Sequence, residues 1–110
     1  MVKPTVIIDT NAIVSFFMGD VSERNSAIAH ILAAEKCVIP VEVISETVFI
    51  LEKRFNLSRQ DVAEKIKDII TIKDDLVACQ NVVRFACNTF ASTKLDFVDC
   101  LLDGYAKING

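Results

Sequence analysis

The feature that most constrains the fold of this chain is the continuous run TVII at residues 5–8. β-Branched side chains dominate the run, and they favour an extended strand. Polar residues do not alternate with the apolar ones, which is typical of a strand buried on both faces of a parallel sheet. The run therefore predicts a strand over residues 4–9 that ends at Asp9, where the chain turns through Thr10 and Asn11.

Short apolar runs alternate with longer stretches whose apolar residues recur at helical spacing. Strands are predicted at 4–9, 37–39 and 70–72, and helices at 10–18, 22–35, 40–55, 58–68, 77–91 and 95–108. This alternation predicts an α/β fold with a parallel β-sheet flanked by helices. The 110 residues contain no repeat or low-complexity linker, which indicates a single domain over residues 1–110.

Composition excludes several classes of protein. No apolar run reaches the ~18 residues needed to cross a bilayer, and the start lacks the basic region and long apolar stretch of a signal peptide. We therefore expect a cytoplasmic protein without a membrane partner. The formal net charge is −3, so binding of nucleic acid would have to rest on something other than bulk positive charge, such as bound metal ions.

The cysteines and the single histidine do not suggest a zinc site. Cys37, Cys79, Cys87 and Cys100 form no Cys-x-x-Cys pair. A reducing cytosol also disfavours disulfides, so all four are predicted to be small buried apolar residues. His30 lies within a predicted helix without a second histidine, which favours a packed or half-exposed residue over a catalytic base.

Three carboxylates from separate elements are the candidate chemical groups. Asp9 ends the first strand, Glu46 interrupts the apolar stripe of the third helix, and Asp99 lies in the last helix. In open parallel sheets ligands bind beyond the carboxyl ends of the strands. Carboxylates that converge without a neighbouring lysine or arginine suit Mg²⁺, which prefers oxygen ligands.

Each of these acids also has an ordinary structural interpretation. Asp9 is a favourable N-cap for the helix that follows it. Glu46 and Glu42 share one helix face and are compatible with the solvated flank of an amphipathic helix, an interpretation that is stronger for Glu42. From the residues alone, both interpretations remain open for Asp9 and Glu46.

The segment KLDFVDCLLDGYA carries three acids on one helix face. Asp96 suits an N-cap and Asp99 the third helical position, which resembles a capping box. Neither role explains Asp103 in the second turn. Three like charges on one face repel unless a cation lies between them.

Three motifs in the right order make the chain resemble a PIN-domain protein of the kind that acts as the toxin in VapC-type toxin–antitoxin pairs. The motifs are VIIDTNAIV, VIPVEVISETVFIL and LDFVDCLLDGYAKING. The resemblance implies a PIN-like three-layer fold and a Mg²⁺- or Mn²⁺-dependent ribonuclease that hydrolyses RNA phosphodiester bonds. It also implies a cognate antitoxin protein and a homodimer.

The resemblance also assigns site residues. Asp9, Glu46 and Asp99 match the family's three acids and are the predicted catalytic and metal-binding residues. Asp96 matches an additional acid, and is included among the metal ligands. The polar pair near the metal corresponds to Thr10 and Asn11, while Asp103 falls where the family often has alanine and is kept as a residue near the substrate.

The resemblance fails at the C-terminus. The family continues beyond the last helix into a strand that commonly ends in Thr-x-Asp and supplies a fourth acid, whereas this sequence stops at Gly110. We therefore expect a PIN-like domain that lacks the last strand or strands. The first strand should then lie exposed at a sheet edge, which invites pairing with another chain.

Two other functions compete with the ribonuclease. The first is a catalytically inactive PIN-like module that binds an antitoxin or itself, and the missing strand favours it. The second is a phosphatase or phosphotransferase with Asp9 as the nucleophile. The usual haloacid-dehalogenase pattern has a second aspartate two residues on, and Asn11 at that position counts against this alternative.

Overall fold

The computed structural model describes residues 5–34 and 36–108, and within them the chain forms six helices and a two-stranded parallel sheet. The strands are β1 (Val6–Ile7) and β2 (Cys37–Val38), and the helices are α1 (Thr10–Met18), α2 (Val21–Ala33), α3 (Val41–Lys53), α4 (Arg59–Ile70), α5 (Gln80–Ser92) and α6 (Phe97–Ile108). This predominantly helical arrangement confirms the predicted fold class, α/β with a parallel sheet flanked by helices. None of the helices in these residues is long and apolar enough to cross a membrane.

The sheet is short and its register is regular. Val6 lies opposite Cys37 and Ile7 opposite Val38. The backbone amide of Val6 donates to the carbonyl of Lys36 at 2.9 Å, and that of Ile8 donates to Val38 at 3.0 Å. The start of the predicted first strand at Pro4 and the predicted helix end at Glu35 lie outside the described residues.

The predicted strand at 70–72 is wrong. Helix α4 continues to Ile70, and a turn follows, so the third extended segment comes later in the chain. Ile39 pairs there with Val77, donating its amide to the carbonyl of Leu76 at 2.6 Å and accepting from the amide of Ala78 at 3.0 Å. Ile69 and Ile70, at the start of this apolar run, belong to α4 and complete its buried face. Helix α5 consequently begins at Gln80, three residues later than predicted.

Strand β1 lies at the edge of this sheet. We expected its side chains to be buried on both faces, but Val6 is 49% exposed and Ile7 57% exposed. Elements on the two faces of the sheet therefore leave about half of each side chain uncovered. Among the described residues β1 pairs only with β2, so the other edge of the strand has no neighbour. The exposed sheet edge expected for this strand is thus present.

Several helix ends are determined by local capping residues. Asp20 caps α2, and its carboxylate accepts from the amide of Glu23 at 2.8 Å, while the Glu23 side chain completes a capping box. Ser58 caps α4 by accepting from the amide of Asp61 at 3.0 Å, which agrees with the prediction from sequence that Ser58, followed three residues later by Asp61, resembles a capping box. Pro40 precedes α3, a position where its missing amide hydrogen costs nothing.

The core forms where α3 contacts α1, α4 and α6, and where α5 packs between α4 and α6. The predicted apolar stripe of α3 is confirmed at Ile44, Val48 and Leu51, which are all buried, whereas Phe55 lies beyond the helix and is 41% exposed. Through these contacts α3 touches both helices that carry the other candidate acids.

Gly104 allows α6 to approach α5 closely. A β-carbon at this position would lie 3.2 Å from Phe85 Cδ1, from Val82 Cγ1 and from the backbone oxygen of Val82.

We expect Gly104→Val to lower the free energy of unfolding by about 2 kcal/mol, because the added methyl groups overpack this contact. Urea unfolding followed by circular dichroism measures the change. The control Ala106→Val, at an exposed position of the same helix, should cost less than about 0.7 kcal/mol, and equal losses would contradict the packing argument.

Candidate active site

Asp9 lies directly after β1 and caps α1. Its Oδ1 accepts a hydrogen bond from the backbone amide of Ala12 at 2.9 Å, so the N-cap interpretation is confirmed. The side chain is exposed. Since capping uses Oδ1, Oδ2 is the oxygen that remains to face a ligand, and capping and ligand binding are compatible at this residue.

The two residues after Asp9 differ in their surroundings. Thr10 is the first residue of α1 and is buried, with 7% of its surface exposed, whereas Asn11 is exposed. Of these two residues, Asn11 therefore presents its polar group to solvent and Thr10 does not.

Glu46 interrupts the apolar stripe in the middle of α3 and is exposed, so the solvated flank of an amphipathic helix describes its environment. Its neighbour Thr47 is fully buried. The Thr47 hydroxyl donates to the carbonyl of Val43 at 2.7 Å, which satisfies it inside its own helix. The sequence reasoning did not identify Thr47 as buried, although its spacing from Ile44 and Leu51 places it on the core face.

The three acids of the last segment have different surroundings. Asp96 directly precedes α6, Asp99 lies in the first turn, and both are exposed. Asp103 is half-buried and forms an ion pair with Lys107, whose Nζ is 3.2 Å from its Oδ2. Lys107 lies one turn later on the same helix face, so part of the predicted repulsion between like charges is relieved within α6.

The candidate acids lie on adjacent elements without forming a ready-made ligand set. Helix α3, with Glu46, contacts both α1, which follows Asp9, and α6, which holds Asp99. Yet nowhere in residues 5–34 and 36–108 do three or more His, Cys, Asp or Glu side chains lie together as a metal site. The donors are all carboxylate oxygens, which suit Mg²⁺ or Mn²⁺ chemically. Their convergence around one ion stays a prediction.

Tyr105 is a polar residue of α6 whose position the sequence did not determine. It is half-buried. A hydrogen bond with the Cys79 thiol raises the pKa of Tyr105, and burial and the charge of Glu42 raise it further. The phenol therefore stays protonated at neutral pH. Nothing in the sequence indicates this contact because the two residues are far apart along the chain.

The cysteines fulfil the sequence prediction with one exception. Cys37, Cys87 and Cys100 are buried and all four thiols are free, but Cys79 is exposed. Cys79 adopts a left-handed backbone conformation with φ of 51° where the chain leaves the sheet for α5, and this turn places the residue at the surface. His30 is exposed as well, and its Nδ1 lies 2.8 Å from the carbonyl oxygen of Ser26, in agreement with its non-catalytic interpretation.

Thiol alkylation should distinguish these cysteines. Burial raises the pKa of Cys87 to about 12 and also raises the pKa of Cys100, so few thiolates are available at those positions at pH 8. We expect iodoacetamide to label the native protein first at Cys79, with the buried thiols reacting only after unfolding. Peptide mass mapping identifies the labelled site, and Cys79→Ser should remove the fast phase. Rapid labelling of Cys87 in the native protein would contradict this assignment.

Comparison with known proteins adds a family relationship to this geometry. The sequence model of the PIN domain matches residues 6–110. The chain is 28% identical over 109 residues to a VapC ribonuclease of Aquifex aeolicus (strain VF5), and the alignment covers 94% of this chain and 80% of that protein. No solved structure matches the chain significantly.

Proposed function

The chain belongs to the PIN domain family, and we propose that it is a metal-dependent endoribonuclease that hydrolyses RNA phosphodiester bonds as the toxin of a toxin–antitoxin pair. The observation that carries this proposal is the family match over residues 6–110, which includes a strand-end aspartate and the two helices that hold the other acids. The VapC ribonuclease relative supports the same activity.

In this proposal the carboxylates act as ligands and not as nucleophiles. Asp9, Glu46 and Asp99 would hold Mg²⁺ or Mn²⁺, with Asp96 as an additional ligand. A bound divalent cation would supply a more acidic water molecule and neutralise charge on the scissile phosphate. The exposure of all four acids leaves them accessible to a polyanionic substrate.

Thr10, Asn11 and Asp103 would have supporting roles. Asn11 is exposed in the first turn of α1, two residues after the capping Asp9, and can donate to a phosphate oxygen, while Thr10 is buried at the start of that helix. The Asp103–Lys107 ion pair reduces the negative charge of the α6 face on which Asp99 lies.

The test is an RNA cleavage assay with the purified chain and a mixture of labelled single-stranded RNAs. We expect cleavage with Mg²⁺ or Mn²⁺ and none with EDTA. Calorimetric titration of Mn²⁺ into the same preparation measures ion binding separately from catalysis. Absence of both binding and cleavage would contradict the proposal.

The second candidate is an inactive PIN-like module that binds an antitoxin or a second copy of itself. The observation that favours it is that the carboxylates do not form a cluster within the described residues. This alternative predicts partner binding that is unchanged by Asp9→Asn. A cognate antitoxin, a homodimer and a cytoplasmic location remain part of the proposal in either case, and sedimentation analysis tests the dimer.

A further inference from the structure

The segment between α5 and α6 leads directly into the helix that holds two of the candidate acids. It comprises residues 93–96, and all four are exposed, so burial contributes little to its conformation. Asp96 is its last residue, and Asp99 follows in the first turn of α6. The positions of these two carboxylates therefore depend on what holds this short segment.

Arg59, the first residue of α4, contacts the segment from a neighbouring helix. Its Nη2 donates to the carbonyl of Leu95, directly before Asp96. Its Nε donates at 2.8 Å to the carbonyl of Phe90, in the last turn of α5. One guanidinium thus bridges the end of one helix and the approach to the next, with donors that its planar group keeps in a fixed relative geometry.

The Arg59 guanidinium is itself held from two further sides. It lies 3.7 Å from the centroid of the Phe90 ring, within the range of a cation–π attraction. Nη1 lies 3.4 Å from Oε2 of Glu52 in α3, and only 25% and 24% of the two side chains are exposed. The Phe90 ring in turn meets the buried ring of Phe97 edge to face, with centroids 5.6 Å apart. These contacts continue from Arg59 to the first residue of α6.

The other hydrogen bonds of the segment are local. The amide of Leu95 donates to Thr93 Oγ1 at 3.3 Å, and the amide of Cys100 donates to the carbonyl of Asp96 at 3.0 Å. Within the part of the chain that the structure describes, the bond from Arg59 to Leu95 is the one that joins residues 93–96 to a helix other than α5 and α6. Its loss would leave the segment attached only to the two helices that it connects.

We propose that Arg59 is a positioning residue for the candidate site: it holds residues 93–96 and thereby fixes where α6 begins and where Asp96 and Asp99 lie. The inference rests on the proposed ribonuclease function. Arg59 is not itself a ligand, because a guanidinium is cationic and has no acceptor to offer an ion. Its ion pair is with Glu52 and with neither of the two acids. Its effect on a bound ion passes through the backbone at Leu95.

Loss of this contact should weaken ion binding without changing any ligand. When only a fraction of molecules has a site in its binding-competent arrangement, the apparent affinity is reduced by that fraction. Excess ion then selects the competent molecules and restores the same bound state. Arg59 should therefore determine the Mn²⁺ concentration that cleavage requires, and should affect the rate at saturating Mn²⁺ much less.

Calorimetric titration of Mn²⁺ into Arg59→Met tests this at a temperature where circular dichroism shows the variant to be folded. We expect the Kd for Mn²⁺ to rise about tenfold, at the lower end of the effect of residues that orient metal ligands. In cleavage assays the Mn²⁺ concentration for half-maximal rate should rise by the same factor, while the rate at saturating Mn²⁺ stays within about threefold. Arg59→Lys keeps the charge but not the fork of donors, so it should be intermediate, and it takes the place of Arg59→Met if that variant does not fold.

Two control variants separate positioning from stability. Gln60→Met changes the next residue of α4, whose Nε2 donates at 3.1 Å to the carbonyl of Ala91 at the same end of α5, but which has no hydrogen bond to residues 93–96. Ile70→Ala creates a cavity at a buried position about 16 Å from Arg59 along the axis of α4, and so destabilises the fold elsewhere. Both should change the Kd for Mn²⁺ less than about twofold, because distant sites act independently in the folded protein.

Hydrogen exchange gives a measurement that does not involve the ion. The amide of Cys100 donates to the carbonyl of Asp96 and so reports whether the first turn of α6 is closed. The amide of Val83 donates at 3.0 Å to the carbonyl of Cys79, in the corresponding turn of α5 and at the opposite end of that helix from Arg59. Arg59→Met should speed exchange of the Cys100 amide about tenfold and that of the Val83 amide less than about twofold.

The outcomes separate the role of Arg59 from the proposed function. Cleavage with the same Mn²⁺ requirement in Arg59→Met and in the unchanged chain would leave the ribonuclease in place and overturn the positioning role. An equal rise of the Kd in Arg59→Met and Ile70→Ala would also overturn it, since general destabilisation would then explain both. Faster exchange at Cys100 in Arg59→Met, with no Mn²⁺ binding by the unchanged chain, would contradict the ribonuclease and support the hold of Arg59 on the start of α6.

Discussion

RNA cleavage by Asp9→Asn should be at least about 100-fold slower than cleavage by the unchanged chain. Changing a residue that only hydrogen-bonds to a metal ligand already lowers metal affinity or activity about 10–100-fold, and Asp9 is itself a proposed ligand. The fold should be retained because asparagine caps helices about as well as aspartate. The Ala12 amide, 2.9 Å from Oδ1, keeps an acceptor in the variant. Initial rates at saturating Mg²⁺ measure the loss, and calorimetry should show weaker Mn²⁺ binding.

Asp20→Asn is the matched control for this experiment. Asp20 caps α2 as Asp9 caps α1, with an extended backbone and an accepted hydrogen bond of 2.8 Å from the amide of Glu23. The two variants therefore make the same chemical change in the same local structure, but only Asp9 follows a strand. Cleavage by Asp20→Asn should stay within about twofold of the original rate. Equal losses in both variants would show that capping, and not ligand chemistry, explains the effect of Asp9.

Glu46→Gln and Asp99→Asn extend the same test to the other two helices. If the three acids hold one ion, each variant should weaken Mn²⁺ binding and slow cleavage, and combined variants should lose little beyond a single one because residues that act as a unit are not additive. Full activity of Glu46→Gln would remove that residue from the site.

Arg59→Met should lower the free energy of unfolding by about 3 kcal/mol. This is the largest loss of stability that we expect from substituting a residue that is not fully buried in this chain. Arg59 connects four parts of the fold. Its Nε donates to the carbonyl of Phe90 at 2.8 Å, Nη2 donates to the carbonyl of Leu95, and Nη1 lies 3.4 Å from Glu52 Oε2. The guanidinium also lies 3.7 Å from the centroid of the Phe90 ring.

We expect a loss of this size because the substitution removes hydrogen-bond donors from two backbone carbonyls. Methionine fills a similar volume but donates no hydrogen bond, so the carbonyls at the end of α5 and before α6 lose their partner. The cation–π contact with Phe90 is lost as well, at about 0.5–2 kcal/mol. Because these contributions are not additive, about 3 kcal/mol is expected and not their sum. Urea unfolding followed by circular dichroism measures the change.

Two controls accompany Arg59→Met. Arg54→Met changes an exposed arginine directly after α3 and should cost less than about 0.5 kcal/mol. Arg59→Lys keeps the charge beside Glu52 but cannot form the fork of hydrogen bonds, and should recover less than half of the loss. If Arg59→Met unfolds at the same urea concentration as Arg54→Met, the contacts of Arg59 do not stabilise the protein.

The local parts of the fold could be predicted because their causes are local. The buried stripe of α3 follows from helical spacing, and Ser58 caps α4 because its hydroxyl reaches an amide three residues away. The error at 70–72 has the opposite origin. A short run of β-branched residues fits a strand or the end of a buried helix equally well, and packing against the core decided for the helix.

In the candidate site, too, local features could be predicted from sequence and features that depend on helix packing could not. Asp9 at the end of a strand and at the start of a helix could be located from sequence, as could the acids of α6. The exposure of Glu46 and the ion pair of Asp103 could not, because they depend on how each helix is rotated against its neighbours and on which rotamer its side chains adopt.

The sequence by itself determined the alternation of strands and helices, the caps Asp9 and Ser58, and the family, since these depend on residues close together in the chain or on motifs in a fixed order. Only the tertiary structure decided that Leu76–Val77 and not 70–72 meets the sheet, and that Cys79 is exposed. It also brought Arg59 to the carbonyls of Phe90 and Leu95. These features depend on segments that are far apart in the chain, and their packing is set by shape and burial that no local pattern contains.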